Sequence, residues 1–322
     1  MANENLAAID LGTNSCRITV VDSHGTLVYK DSIATKLGEG MYANMCFTDE
    51  AIDRGLKAFS EYAKVLEQYN VKNYRAIATA SCRMASNGMD FVKKVEETTG
   101  IKIDVIDGKQ EAYLNLKGAL LNADKNAKYA LVYDLGGGST EITLATNEEN
   151  PKMIYTISIP WGARNASEAF GLKHFDEKNQ QNLQANIVPY VQKFILQSEL
   201  EKYKDSCSLI ATSSTPLRLA SMINQDEEYD RQKSDGRILS CKDLDKVIGE
   251  IYKMSLSERE ESKHIGKNRA PIMISGCTIF KSIYENLGFE KLTASLKSAQ
   301  DAIIKELQDN GKAYKISKDY QR

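Results

Sequence analysis

Apolar residues fall first in short runs and then at helical spacing. Runs over 6–11, 16–22 and 26–34 are joined by polar turns such as Ser23-His24-Gly25, a pattern that predicts an antiparallel three-stranded meander. A helix follows over about 49–69. Its apolar residues Ile52, Leu56, Phe59, Ala63 and Leu66 recur at i, i+4, i+7, i+11 and i+14, with Thr48 placed as N-cap and Asp49 and Glu50 in the first turn. The pattern then predicts a strand over Tyr74–Ala80, a helix over about 89–99 ending at Gly100, a strand over Ile101–Ile106 and a helix over about 109–121.

After a polar linker at 122–128 the meander restarts, with strands expected at 130–135, 140–146 and 152–159 and a long helix at about 177–203. Residues 224–240 are polar and aperiodic, which predicts a surface loop. Helices are expected near 241–254 and 271–287, a strand over Lys291–Ser295, a terminal helix to about 309 and a frayed tail over Lys315–Arg322. Two successive βββαβαβα halves predict an α/β protein of two mixed-sheet lobes, residues 1–125 and 126–322, with the terminal helix free to pack back on the first lobe. Ligands of such sheets tend to sit at the carboxyl ends of the strands.

The halves share more than element order. Residues 10–21 read DLGTNSCRITVV and residues 134–145 read DLGGGSTEITLA; six of the twelve positions are identical at a constant offset of 124 (10 to 134). Each copy follows an apolar run, so each Asp ends a strand and precedes a turn of Gly, Ser and Thr. Successive N–H groups in such a turn form a concavity suited to phosphate oxygens, and a carboxylate before it can hold a hydrated Mg²⁺. Asp10 and Asp134 could instead be turn-formers that accept backbone N–H bonds, but their duplication favours a ligand-facing role. A second repeat pairs Ile77-Ala78-Thr79-Ala80-Ser81 with Ile210-Ala211-Thr212-Ser213-Ser214 at an offset of 133 (77 to 210).

Composition narrows the chemistry. The 322 residues carry 42 Lys+Arg against 44 Asp+Glu, so no global field recommends nucleic acid or an anionic membrane as partner. No apolar run approaches the roughly 20 residues of a membrane span, and MANENLAAID lacks a charged-then-apolar signal region, so a cytoplasmic protein is expected. The six cysteines contain no C-x-x-C pair and read as reduced, packed thiols. With only three histidines, acid/base work must rest mainly on carboxylates.

An ordered set of strings over residues 6–170 resembles the Ppx/GppA phosphatases of the actin, Hsp70 and sugar-kinase superfamily: IDLGTNSCR (9–17), KLGEG (36–40), ATASCR with Asn87 (78–87), VIDGKQEA (105–112), DLGGGSTE (134–141) and IPWGAR (159–164). The resemblance implies two actin-like (ribonuclease H-like) lobes with an interdomain cleft, and an enzyme that removes terminal phosphate from inorganic polyphosphate, or converts pppGpp to ppGpp, with Mg²⁺ (or Mn²⁺). It implies catalytic roles for Glu111 and Glu141. Asp10 and Asp134 become binders of metal or its waters, joined by Glu141. The turns Gly12-Thr13-Asn14-Ser15 and Gly136-Gly137-Gly138-Ser139-Thr140 become phosphate loops, and Arg83 meets phosphate oxygens.

Hydrolysis of a phosphoanhydride needs an in-line water, neutralised equatorial oxygens and a group that orients or deprotonates the water. Glu111, at the start of a helix, is expected to be the general base; by position alone it is equally a solvated first-turn carboxylate. Glu141 with Asp134 is expected at the metal, and Arg83 as a bidentate clamp. Arg17 and Lys36 are further candidates for phosphate contact, Arg17 standing equally as a structural ion pair, and Trp161 reads as packing.

Two strings depart from the family. Ala211-Thr212-Ser213-Ser214-Thr215 replaces G-T-x-G-T, and Ser295 to Ala302 replaces a string like S-D-x-G-L-R-E-G. Loss of these glycines should cost binding or force a different loop. The leading expectation is a short-type exopolyphosphatase. A pppGpp 5′-phosphohydrolase, a non-catalytic sensor of polyphosphate or nucleotide, and an ATP-dependent small-molecule kinase are the alternatives, with a homodimer open as the assembly.

Overall fold

A computed structural model of the protein describes residues 5–39, 41 and 45–310. The chain divides into two compact units, Met1–Gly118 with Ser298–Arg322, and Ala119–Lys297. The expectation for Lys315–Arg322 lies outside the described residues.

The first unit is built on a five-stranded sheet of order β3-β2-β1-β4-β5. Strands β1 (Asn5–Leu11), β2 (Cys16–Val21) and β3 (Leu27–Ile33) form the antiparallel meander, and β4 (Val71–Ala78) and β5 (Ile103–Val105) add in parallel. Central β1 is buried on both faces, as its run Leu6-Ala7-Ala8-Ile9 requires, whereas edge strand β3 alternates and is mostly exposed.

Helix α1 (Asp49–Gln68) covers one face of this sheet. Thr48 caps it by accepting from the Ala51 amide at 3.2 Å. Its buried stripe is Ala51, Gly55, Ala58, Phe59, Tyr62, Val65 and Leu66, one position away from part of the expected set: Ile52, Leu56 and Ala63 are only partly buried. The shift arises because small residues let the helix approach closely. A Cβ on Gly55 would lie 2.7 Å from the Phe91 ring, and the Tyr62 hydroxyl donates to the Cys16 carbonyl at 2.7 Å.

The remaining helices are α2 (Ala80–Met84), α3 (Gly88–Thr99), α4 (Gly108–Leu120) and α11 (Ala299–Asn310). Helix α11, far away in sequence, packs Ala299, Ala302, Ile303, Ile304 and Leu307 against Leu6, Ala8, Ile77 and Leu114. Its Gln300 amide donates to the carbonyls of Ala8 and Arg17, each at 3.1 Å, and so bridges β1 and β2.

The second unit carries a six-stranded sheet of order β10-β11-β9-β6-β7-β8. Strands β6 (Tyr129–Leu135), β7 (Thr140–Thr146) and β8 (Met153–Ile159) repeat the meander; β9 (Cys207–Thr212) and β11 (Lys291–Ser295) are parallel to β6. The expected loop at 224–240 ends in a short edge strand, β10 (Ile238–Ser240), too brief to show a periodicity. Around the sheet lie α5 (Ala163–Ala169), α6 (Glu177–Ser198), α7 (Ser214–Ile223), α8 (Cys241–Lys253), α9 (Leu256–Glu261) and α10 (Met273–Leu287). The long helix stops at Ser198, five residues before the expected 203, because Glu199 turns left-handed (φ 52°) and two 3₁₀ turns follow. Each unit thus has the mixed-sheet, three-strand-meander topology of the actin-like, ribonuclease H-like lobe. All six cysteines are free thiols. Among the described residues no helix is long and apolar enough to cross a membrane.

Candidate active site

In the first unit, β1 delivers Asp10 to the strand end and the chain turns back through Gly12–Ser15. The Gly12 amide donates to the Ser15 carbonyl at 3.0 Å, which closes the turn. Among the described residues the amides of Thr13, Asn14 and Ser15 donate to no protein acceptor, so three consecutive N–H groups are available to an anion. Asp10 lies opposite Arg17 on β2, with Arg17 Nη1 3.8 Å from Asp10 Oδ2. Burial raises the Asp10 pKa, and the Arg17 charge partly offsets that rise.

Glu111 is set by a local device. Asp107 Oδ1 accepts from the Gln110 amide at 2.8 Å while Gln110 Oε1 accepts from the Asp107 amide at 3.2 Å, the reciprocal capping box of a helix start. Glu111 is therefore the next residue on a fixed first turn. Arg83, on α2 just beyond β4, donates to the Ile106 carbonyl and, from Nη1 and Nη2, to Glu111 Oε2 at 3.3 and 3.4 Å. Burial raises the Glu111 pKa; the charge and hydrogen bonds of Arg83 lower it, and the charge of Asp10 raises it again. Asp10, Arg83 and Glu111 thus form one electrostatic set.

The second unit repeats the turn with different chemistry. The Gly136 amide donates to the Ser139 carbonyl at 2.9 Å, and the amides of Gly137, Gly138 and Ser139 have no protein acceptor among the described residues. Glu141 stands directly opposite Asp134 on the β6–β7 ladder, and Ser158 donates to Glu141 Oε1 at 3.0 Å. Burial raises the Asp134 pKa, a hydrogen bond from Thr212 lowers it, and the charge of Glu141 raises it further. Thr140 does not reach the turn's open side. Strand alternation buries it, and its hydroxyl donates to the Trp161 carbonyl at 2.8 Å.

The donor set of Asp134 and Glu141 fits a divalent cation. Two carboxylates stand opposite each other on the ladder, burial disfavours the charge of Asp134, and among the described residues neither forms an ion pair with a basic side chain. No group of three or more His, Cys, Asp or Glu side chains stands ready for a metal among those residues. Mg²⁺ does not require one, since it keeps several waters and accepts one or two carboxylates. Asp10 differs, because Arg17 already supplies its positive neighbour.

At the departed string after β9, the loop keeps a glycine-like backbone without a glycine. Ser213 holds φ 99° and ψ −175°, a region that costs a non-glycine residue about 1–3 kcal/mol. Its hydroxyl is buried without a hydrogen-bond partner. Ser213 stands at the x of G-T-x-G-T; Ala211 and Ser214, which stand at its two glycines, lie in β9 and at the start of α7 without a positive φ, so the strain falls between the replaced positions.

Several supporting residues escaped the sequence. Gln110 and Asp107 were readable as a D-x-x-Q capping box. Thr212 and Ser158 carried no local signal, because their partners are 78 and 17 residues away (134 to 212, 141 to 158).

Paired strand-end turns, each preceded by an aspartate and accompanied by a positioned glutamate, define an α/β protein of the phosphate-handling actin-like class. The chain belongs to the Ppx/GppA phosphatase family, whose sequence pattern matches residues 18–310. It is 32% identical over 303 residues to a bifunctional 3-dehydroquinate synthase/phosphatase of Fusobacterium nucleatum, covering 90% of this chain and 44% of that protein, so it spans less than half that relative's length. It is 26% identical over 326 residues to exopolyphosphatase 2 of Mycobacterium tuberculosis, covering 95% of this chain and 99% of that one. The type II variant of the Aquifex aeolicus Ppx/GppA phosphatase superposes with a TM-score of 0.82 at 22% identity, covering 94% of this chain and 99% of that one. An exopolyphosphatase from Cytophaga hutchinsonii gives 0.74 at 20%, covering 95% and 98%. At such identities the superpositions speak for the fold.

Proposed function

We propose that the protein is an exopolyphosphatase that hydrolyses the terminal phosphoanhydride of inorganic polyphosphate and releases orthophosphate. The observation that carries this reading is the Arg83–Glu111 pair on its capped helix, near Asp10: a carboxylate raised by burial yet held against a cation. A general base works best with a pKa moved toward the operating pH, and this environment moves Glu111 in that direction. In the proposed mechanism Glu111 accepts the proton of the attacking water while Arg83 offers its guanidinium to phosphate oxygens. In each unit the glycine-serine turn offers backbone N–H groups to phosphate oxygens. Asp134 and Glu141 would hold Mg²⁺ or Mn²⁺, which supplies charge neutralisation on the phosphate when bound. The similarity to exopolyphosphatase 2 along nearly its whole length supports the substrate class.

Orthophosphate release should be measured on polyphosphates of several lengths and on pppGpp, with Mg²⁺ or Mn²⁺ and with a chelator. Metal-dependent release from polyphosphate is expected, abolished by chelation and restored on adding the metal back. Faster release from pppGpp would move the assignment to a 5′-phosphohydrolase, and no release from either would end the enzymatic reading.

A further inference from the structure

The first turn is held from behind. The Lys36 amide donates to the Asn14 carbonyl and the Gly38 amide to the Thr13 carbonyl, each at 3.0 Å. These bonds occupy the carbonyls of Thr13 and Asn14, while the amides of Thr13, Asn14 and Ser15 have no protein acceptor among the described residues. The contact is close: a Cβ on Gly38 would lie 2.3 Å from Thr13 Cγ2.

The second unit repeats this brace at the same offset of 124 (38 to 162, 13 to 137). A Cβ on Gly162 would lie 2.5 Å from the Gly137 carbonyl carbon, and the amides of Ala163 and Arg164 donate to Gly136 and Gly137, each at 2.9 Å. The duplicated unit is therefore a strand, a turn, two more strands and a glycine that returns to support the turn.

Each brace is fastened by one polar side chain. In the second unit Asn165 accepts from the Gly162 amide at 2.8 Å and donates to the carbonyls of Gly138 at 2.8 Å and Pro160 at 3.1 Å. In the first, Arg54 of α1 donates from Nε to the Thr35 carbonyl at 2.8 Å, and from Nη2 to the Lys36 carbonyl at 3.2 Å and to Glu39 Oε2 at 2.8 Å. Lys36 sits in the left-handed region (φ 47°), which a lysine adopts only when its surroundings impose it. An arginine that touched only Glu39 would be a surface ion pair of little consequence. Two main-chain carbonyls on a strained loop make it a fastening.

We infer that Arg54 is a positioning residue: by pinning the 35–39 loop it fixes the first turn so that the amides of Thr13, Asn14 and Ser15 converge on an oligophosphate anion. The inference rests on the proposed polyphosphatase reading, and its test has an arm that does not need turnover. Arg54→Met, Arg54→Lys and wild type are compared by amide exchange, by calorimetry with tripolyphosphate and by steady-state hydrolysis of it. In Arg54→Met the Lys36 and Gly38 amides should exchange faster while β1 and β4 stay protected. Tripolyphosphate binding should weaken and KM rise, each by about tenfold, with kcat within about twofold, the pattern of lost binding rather than lost chemistry. Arg54→Lys, which can still reach one carbonyl, should recover part of the affinity. Unchanged exchange at Lys36 and Gly38, or unchanged affinity with faster exchange, would overturn the role of Arg54 and leave the polyphosphatase reading standing. A wild-type protein that neither binds nor hydrolyses tripolyphosphate would overturn both.

Discussion

Asp10 and Asp134 occupy equivalent positions 124 residues apart, yet their partners have opposite charge: Arg17 faces the first and Glu141 the second. The duplication therefore fixes where each carboxylate stands, and the residue across the ladder decides what it can hold. Glu111 shows the same division of labour, because Arg83 sets its proton affinity. Arg83 lowers the Glu111 pKa against the larger effect of burial, so removing the cation leaves burial and Asp10 unopposed. In Arg83→Gln the acidic limb of kcat/KM, which reports the free enzyme's base, should shift to higher pH, alongside a general loss of rate from the missing clamp. A pH–rate profile checks this; a limb that stays in place or moves down would remove Arg83 from control of Glu111. The sign for stability is the reverse of the usual acid case. A carboxyl whose folded pKa exceeds its unfolded value contributes stability at low pH and loses it as pH rises through the folded value.

At the scale of elements, α11 ties itself to the first unit by charge as well as by apolar contact. Glu306 is buried between Arg75, 3.4 Å away, and Lys117, 3.0 Å away. Glu306→Ala would take from Lys117 its carboxylate and leave Arg75 only the exposed Asp104, 3.3 Å away, and breaking such a buried set costs about 3–5 kcal/mol. Denaturant unfolding with amide exchange should show that loss, with α11 amides exposed first; a change below about 1 kcal/mol would mean that water already reaches the set. Glu306 also marks the limit of what the sequence reveals. The meanders, α1 and the paired turns were legible because their signals are local: alternation, a Thr48 cap, an Asp before glycines. The partners of Glu306, Gln300 and Arg54 were not, since Arg75 lies 231 residues from Glu306 and Thr35 lies 19 residues from Arg54, with no shared periodicity. Short elements such as α2, α9 and β10 escaped for a different reason. Three to six residues hold too few apolar positions to display a period.

For the whole molecule, near-neutral net charge means that an anionic substrate must be recognised by local devices. Two N–H-lined turns, one arginine and a carboxylate pair suited to a cation are such devices. In the proposed mechanism these devices bind phosphate, and Glu111 makes the difference between binding and hydrolysis. The decisive measurement is orthophosphate release from polyphosphate by wild type and Glu111→Gln, with circular dichroism and polyphosphate affinity followed in parallel. The predicted result is that Glu111→Gln keeps its fold and its affinity and loses at least about 10²-fold in kcat, the typical contribution of a general base. Equal turnover in the two proteins would contradict the assignment of Glu111 and with it the proposed mechanism.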